Sequence, residues 1–145
     1  MIAVDTNVLV YAHRREAGEH AVAAARVRRL AEGVIAWAVP WPCVYEFFSV
    51  VTNPKIWGTT ASTPAQAWLQ ITAWAGSPSL RMIGENELFL DVLGGLVQRP
   101  RVRGAVVHDA RIAAICIAHG VDALLTRDRD FSLFPELHIE NPFPT

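Results

Sequence analysis

The sequence predicts an α/β fold: a mostly parallel central sheet of four to five strands flanked by helices on both faces. Two observations carry this. Short apolar runs rich in Val, Ile and Leu recur along the chain and are bounded by turn-forming residues. Between them lie longer segments with helical spacing, closed by Gly or Pro, and such alternation implies right-handed βαβ units covered on both faces. The composition permits it. With 145 residues, 52% hydrophobic and 19% charged, the chain is expected to form one domain (1–145) whose core needs neither disulfides nor a structural metal.

The elements follow in order. Residues 2–5 read as a buried strand ending at Asp5, where Asp-Thr-Asn favours a turn or helix cap. From Glu19 to Leu30, Ala23, Val27 and Leu30 recur at i, i+4 and i+7, a helix closed by Gly33. Ile35–Val39 is a second strand, stopped by Pro40. Pro42 suits the first turn of a helix through CVYEFFSVVTN, which Pro54 cannot continue. The polar residues 58–63 lead to a helix over Pro64–Ala75. Ser79–Ile83 is a third strand, and Glu85–Gln98 a helix weakened by Gly94-Gly95. His108–Ala118 is the clearest helix, with Ile112, Ala113, Ile115, Cys116 and Ile117 before Gly120. Ala123–Thr126 and Leu137–Ile139 supply a fourth strand and a short fifth.

The formal charge of −1 excludes a nucleic-acid binder that works by bulk positive charge, although not one with local patches. Cys43 and Cys116 lie in apolar segments without metal-type spacing and read as reduced core residues of an intracellular protein. Asp5 interrupts the opening hydrophobic run, so no secretory signal or membrane span is expected and the localisation expected is cytoplasmic.

The carboxylates carry most of the functional information. Glu16, Glu19, Glu32, Glu85, Glu87, Asp91, Asp122, Glu136 and Glu140 sit in polar, boundary or helix-face contexts and read as ordinary solvated charges. Asp5 ends the first strand and Asp128 follows the fourth, which places both in the crevice where open parallel sheets bind ligands. Glu46 stands among apolar neighbours, and a buried carboxylate costs several kcal/mol unless paired or metal-bound. Asp109 opens the His108–Ala118 helix. Taken singly, Asp109 suits a helix N-cap and Asp5 an Asx-turn. Taken together, the four would repel one another, and a divalent cation removes that repulsion. Oxygen-only ligands favour Mg²⁺, or Mn²⁺, over Zn²⁺.

Four segments, VDTNVLV, the Glu46 helix, HDARIAA and LLTRDRDF, together resemble the four acidic motifs of PIN-domain ribonucleases, in the family's order and across residues 2 to about 143. The short chain is similar specifically to VapC-type toxins of type II toxin–antitoxin pairs. The resemblance implies a metal-dependent endoribonuclease cleaving RNA phosphodiester bonds, with Asp5, Glu46, Asp109 and Asp128 as catalytic metal ligands. It also implies supporting roles for Thr6, Asn7 and Thr126, a VapB-type antitoxin as partner, and a homodimer. Asp130 lies two residues past Asp128, so either is a candidate fourth ligand. Asp128 is preferred because it is nearer the strand end, leaving Asp130 to cap or pack.

An acidic pocket repels RNA, so basic residues are expected around it. The RPRVRG run, with Arg99, Arg101 and Arg103, is the first candidate, followed by Arg111 and Arg127, with Arg14-Arg15 and Arg129 also near motif acids. His108 reads as a surface or capping residue before a general acid. Trp37 and Trp41 are expected in the core. Trp57, Trp68 and Trp74 are expected first to pack, and second to stack on single-stranded RNA. The competing classes are a PIN-fold processing nuclease that is not a toxin, an acidic-pocket receiver domain, an Asp-nucleophile phosphatase and a protein-binding module. A receiver needs a late Lys, whereas the only Lys is Lys55, and the phosphatase needs a second Asp where Asn7 stands.

Overall fold

The structure, a computed structural model, describes residues 1–144. Five parallel strands form one sheet: β1 (Ile2–Val4), β2 (Trp37–Pro40), β3 (Leu80–Ile83), β4 (Ala123–Leu125) and β5 (Ile139–Glu140), in the order β3-β2-β1-β4-β5. The central strands are buried on both faces, which explains their continuous apolar runs: Ala3, Val4, Trp37, Ala38, Leu124 and Leu125 are all fully enclosed. Two strands are shifted from their expected positions. Val34 and Ile35 are exposed, so β2 starts at Trp37, and β5 falls two residues later than its apolar run.

Seven helices connect the strands: α1 (Thr6–His13), α2 (His20–Glu32), α3 (Trp41–Val51), α4 (Pro54–Trp57), α5 (Pro64–Ala75), α6 (Phe89–Val97) and α7 (Val106–Ala118). Among the described residues, none is long and apolar enough to cross a membrane. Of the turn or helix cap expected after β1, the structure has the cap, which opens helix α1. The Asp5 carboxylate caps it by accepting from the Thr6 N–H, and Val8 and Leu9 bury its inner side. Helix α5 keeps the expected bounds through a capping box between Thr63 and Gln66. Helix α6 starts four residues late but runs through Gly94-Gly95, and α7 starts two residues before His108.

Strand order positions the site. The chain steps outward from β1 to β2 and β3, then returns past β1 to β4 and β5. Right-handed crossovers therefore put α1–α5 on one face and α6 and α7 on the other. Consistent with this, α1 packs on α2 and α3, while α6 packs on α7. The direction reverses between β1 and β4, and their carboxyl ends open a crevice there.

Candidate active site

Asp5 occupies that crevice and is 4% exposed. Its Oδ1 accepts from the Thr6 N–H at 2.8 Å and the Cys43 thiol at 3.4 Å. Its Oδ2 accepts from the Thr126 hydroxyl at 2.7 Å and the Asn7 amide at 3.1 Å. Thr126 binds the two strand ends together, because its oxygen also accepts from the Asp128 N–H at 3.0 Å and from Asn7 at 2.9 Å. Asn7 completes the lock by accepting from the Arg127 N–H at 3.1 Å. Burial pushes the Asp5 carboxyl up, against the lowering effect of its hydrogen bonds from Thr126, Thr6 and Cys43. Both cysteines are free and buried, as their apolar surroundings imply.

Glu46 corrects its expected environment. Its apolar neighbours Val44 and Phe47 turn into the core, whereas Glu46 lies on the exposed side of α3. Its Oε2 accepts from the Thr6 hydroxyl at 2.8 Å, so Thr6 links the first and second acids. Asp109 also departs from its single-residue reading: the N-cap position of α7 is Ala105, and no cap bond occupies Asp109. Asp128 caps the 3₁₀ turn Arg129–Leu133 by accepting from the Asp130 N–H at 2.9 Å. Asp130 is exposed instead of packed, and one carboxylate oxygen each from Asp109, Asp128 and Asp130 lies within 4.8 Å of the others. The Asp109 carboxyl is pushed up to about 7, by burial first and then by the charges of Asp128, Asp5, Asp130 and Glu46.

A cleft of about 430 Å³ joins these groups. Asp5, Glu46, Asp109 and Asp128 line it together with Thr6 and Asn7. Its other lining comes from residues that sequence patterns did not single out as a wall: Val10 and Tyr11 of α1, Val50 of α3, and Ile56 of α4. Trp57 joins them, held by its indole N–H on the Val50 carbonyl at 2.9 Å. Among the described residues, none of the five clustered acids has an ion-pair partner. Of the other nine acids six do, namely Glu16, Glu19, Glu85, Asp122, Glu136 and Glu140.

The arginines are unevenly free. Arg14 is buried, donating to the Thr60 carbonyl at 2.8 Å and pairing with Glu16, so it braces the fold and is not available as a free phosphate contact. Arg111 pairs with Glu85 at 2.6 Å, Arg127 with Glu19 at 2.6 Å, and Arg99 with Glu136. Arg101 and Arg103 stand exposed on the loop before α7, and Arg15, Arg129 and His108 are exposed as well. Trp37 is in the core as expected, but Trp41 is 42% exposed.

Oxygen donors alone, crowded without a cation and with two carboxyls pushed up, form a donor set that fits a hard divalent ion. No family model matches the chain. It is 31% identical to Ribonuclease VapC48 of Mycobacterium tuberculosis over 139 residues, covering 96% of this chain and 95% of that protein. It is 30% identical to Ribonuclease VapC43 of the same organism over 142 residues, 98% and 95% of the two chains. Among solved structures it is similar to VapBC2 from Rickettsia felis bound to a promoter DNA fragment. That match has a TM-score of 0.70 and 21% identity, and covers 97% of this chain and 98% of that one.

Proposed function

The chain belongs to the VapC ribonuclease family, and on that premise we propose that it is a Mg²⁺- or Mn²⁺-dependent endoribonuclease, the toxin of a type II pair. The observation that carries the metal is the contrast in pairing: six of nine acids elsewhere have a cation, and none of the five in the cluster does. Asp5, Glu46, Asp109 and Asp128 would hold the ion, Asp128 being favoured over Asp130 because it lines the cleft with the other three. When bound, such an ion supplies charge stabilisation at phosphate oxygens and an acidified water.

This chain's own groups prepare that site. Thr126, Asn7 and the Thr6 N–H fix both oxygens of Asp5, and the Thr6 hydroxyl fixes Glu46, so two carboxylates are oriented before any ligand arrives. Arg101, Arg103, Arg15 and Arg129 are exposed and available to RNA phosphates, whereas Arg99, Arg111 and Arg127 would first have to leave Glu136, Glu85 and Glu19.

VapBC2 is bound to a DNA fragment from its promoter, and another structure of similar fold is a toxin–antitoxin complex from Klebsiella pneumoniae, which together support an antitoxin partner of VapB type for this chain. Exposed Trp68 and Leu69 on α5 suit a homodimer contact. The chain then works as a single PIN domain in the cytoplasm. The test is RNA cleavage by purified protein with Mg²⁺ or Mn²⁺ and with EDTA, for the wild type and Asp5→Asn. Cleavage that needs the cation and the carboxylate is expected. Full-rate cleavage in EDTA would refute the metal role. A small DNA-binding antitoxin encoded immediately upstream is the expected genetic sign of the toxin role.

A further inference from the structure

The two aromatic residues of the cleft share a mode of support. Trp57 lies under the Arg14 guanidinium, 4.2 Å from its ring centroid, and its only polar atom is spent on the Val50 carbonyl. Tyr11 lies beneath the Arg127 guanidinium at 5.4 Å, accepts from Arg127 at its hydroxyl at 3.1 Å, and meets Phe143 edge-on. Each arginine is itself tied to an acid, Glu16 or Glu19. Both rings are half-buried, so each is braced from outside while still lining the cleft beside the acids.

The Trp57 indole N–H is spent and the Tyr11 hydroxyl is turned to Arg127, so the rings offer the cleft mainly apolar surface, which Val10, Val50 and Ile56 extend. Apart from the one phenolic O–H, such a wall has no hydrogen-bonding group with which to read a base edge. It can hold a base by its face. The rings are also set before a ligand arrives, which lowers the ordering cost of binding. The other tryptophans do not share the position. Trp37 is fully buried, Trp74 packs edge-on against Phe47, and Trp41 and Trp68 are exposed outside the cleft. The space, about 430 Å³, falls within the roughly 300–1,000 Å³ range of small-ligand pockets.

We propose that Tyr11 and Trp57 form a base-stacking subsite adjoining the carboxylates, which takes one unstacked RNA nucleobase and so selects strands whose bases are free to leave their neighbours. The proposal rests on the ribonuclease reading. It makes the two rings specificity determinants, tolerant of base identity and intolerant of duplex.

The experiment measures binding of a labelled ten-nucleotide single-stranded RNA, and of the matching duplex, to protein made non-cleaving by Asp109→Asn. Trp57→Leu and Tyr11→Leu should each weaken single-strand binding by roughly 5- to 150-fold, the effect of losing one stacked base. Trp57→Phe, which keeps a ring, should cost less than about threefold, and duplex binding should be nearly unchanged. Equal affinity in folded leucine variants, or equal weakening for duplex, overturns the proposal. Cross-linking of 5-iodouridine RNA to the protein with tryptophan and tyrosine intact covers variants that fail to fold. Adducts at Trp57 or Tyr11 are expected, and their absence from both rings overturns the proposal. Neither readout needs cleavage. With Asp109 intact, protein that binds in this way yet leaves RNA uncut breaks only the ribonuclease reading, whereas leucine variants in the Asp109→Asn background that bind single strands as their parent does break only the stacking.

Discussion

Two depressions lie close together on this molecule and treat charge in opposite ways. The larger, about 690 Å³, is lined by His13, Arg14, Thr60, Ser62, Gln66 and Gln70, and its buried charge is compensated. Arg14 donates to Thr60 and Ser62 and pairs with Glu16, leaving only its Nε without a partner, while His13 sits between Gln70 and Ser62. The smaller holds clustered carboxylates with no cation among the described residues. Of these two the larger has its charge compensated, and uncompensated charge picks the second. A fold that neutralises most of its acids elsewhere has kept repulsion in one place, which is what a ligand-dependent site requires.

The largest effect that sharpens this contrast is expected from Asp109→Asn. RNA cleavage should fall by at least the roughly 10–100-fold that outer-shell changes cost a metal site. The same change should raise the melting temperature of metal-free protein, because a crowded negative charge is gone. If the variant melted lower, the repulsion at the cleft would be refuted.

Thr126→Val comes next. It strips Asp5 of a donor and leaves the Asp128 N–H without its acceptor, inside a buried network. A stability loss of about 1–3 kcal/mol is expected from denaturant unfolding, with cleavage reduced as well. A neutral result would mean that water replaces the hydroxyl and that the strand ends are not locked through it.

The pH dependence follows from Asp109, whose carboxyl is raised from 3.8 to about 7 in the fold. A raised carboxyl binds a proton in the folded state that the unfolded chain has already released. Its contribution to stability is therefore lost as pH climbs toward and through about 7. In EDTA, melting temperature should fall between pH 5.5 and 8. The fall should be smaller in Asp109→Asn, and Mg²⁺ should reverse it in the wild type. Four of the ion-paired glutamates act in the other direction: Glu16, Glu19, Glu85 and Glu136 are lowered, chiefly by hydrogen bonds, so their contributions disappear only in acid. The smallest effect should be Glu85→Gln, which breaks an exposed pair with Arg111 and should change unfolding free energy by less than about 1 kcal/mol.

Much of the fold was legible because its signals are local. A run of apolar residues closed by Asp5, or Pro64 following Thr63, encodes a strand end or a helix start within a few residues. Errors arose where neighbours in sequence face different ways. Glu46 looked buried beside Val44 and Phe47, but the helical turn points those two inward and leaves Glu46 at the cleft. Trp41 looked like core beside β2 and is exposed at the start of α3. Asp130 stood second to Asp128 as a fourth ligand, and only the 3₁₀ turn after β4 shows that both reach Asp109.

By itself, the sequence determined which acids stand at strand and helix ends, the alternation that makes the sheet parallel, and the motif order that resembles the family. Tertiary structure alone decided how those acids are supported and what they face. The Thr126 hydroxyl reaches Asp5 across 121 positions of sequence because β4 pairs with β1, and Trp57 enters the cleft wall with Tyr11 because α3, which packs on α1, carries α4 with it. The same topology decided which arginines are already paired with acids. Periodicity is a short-range property of a chain, whereas partners brought together at a switch point depend on every crossover before it.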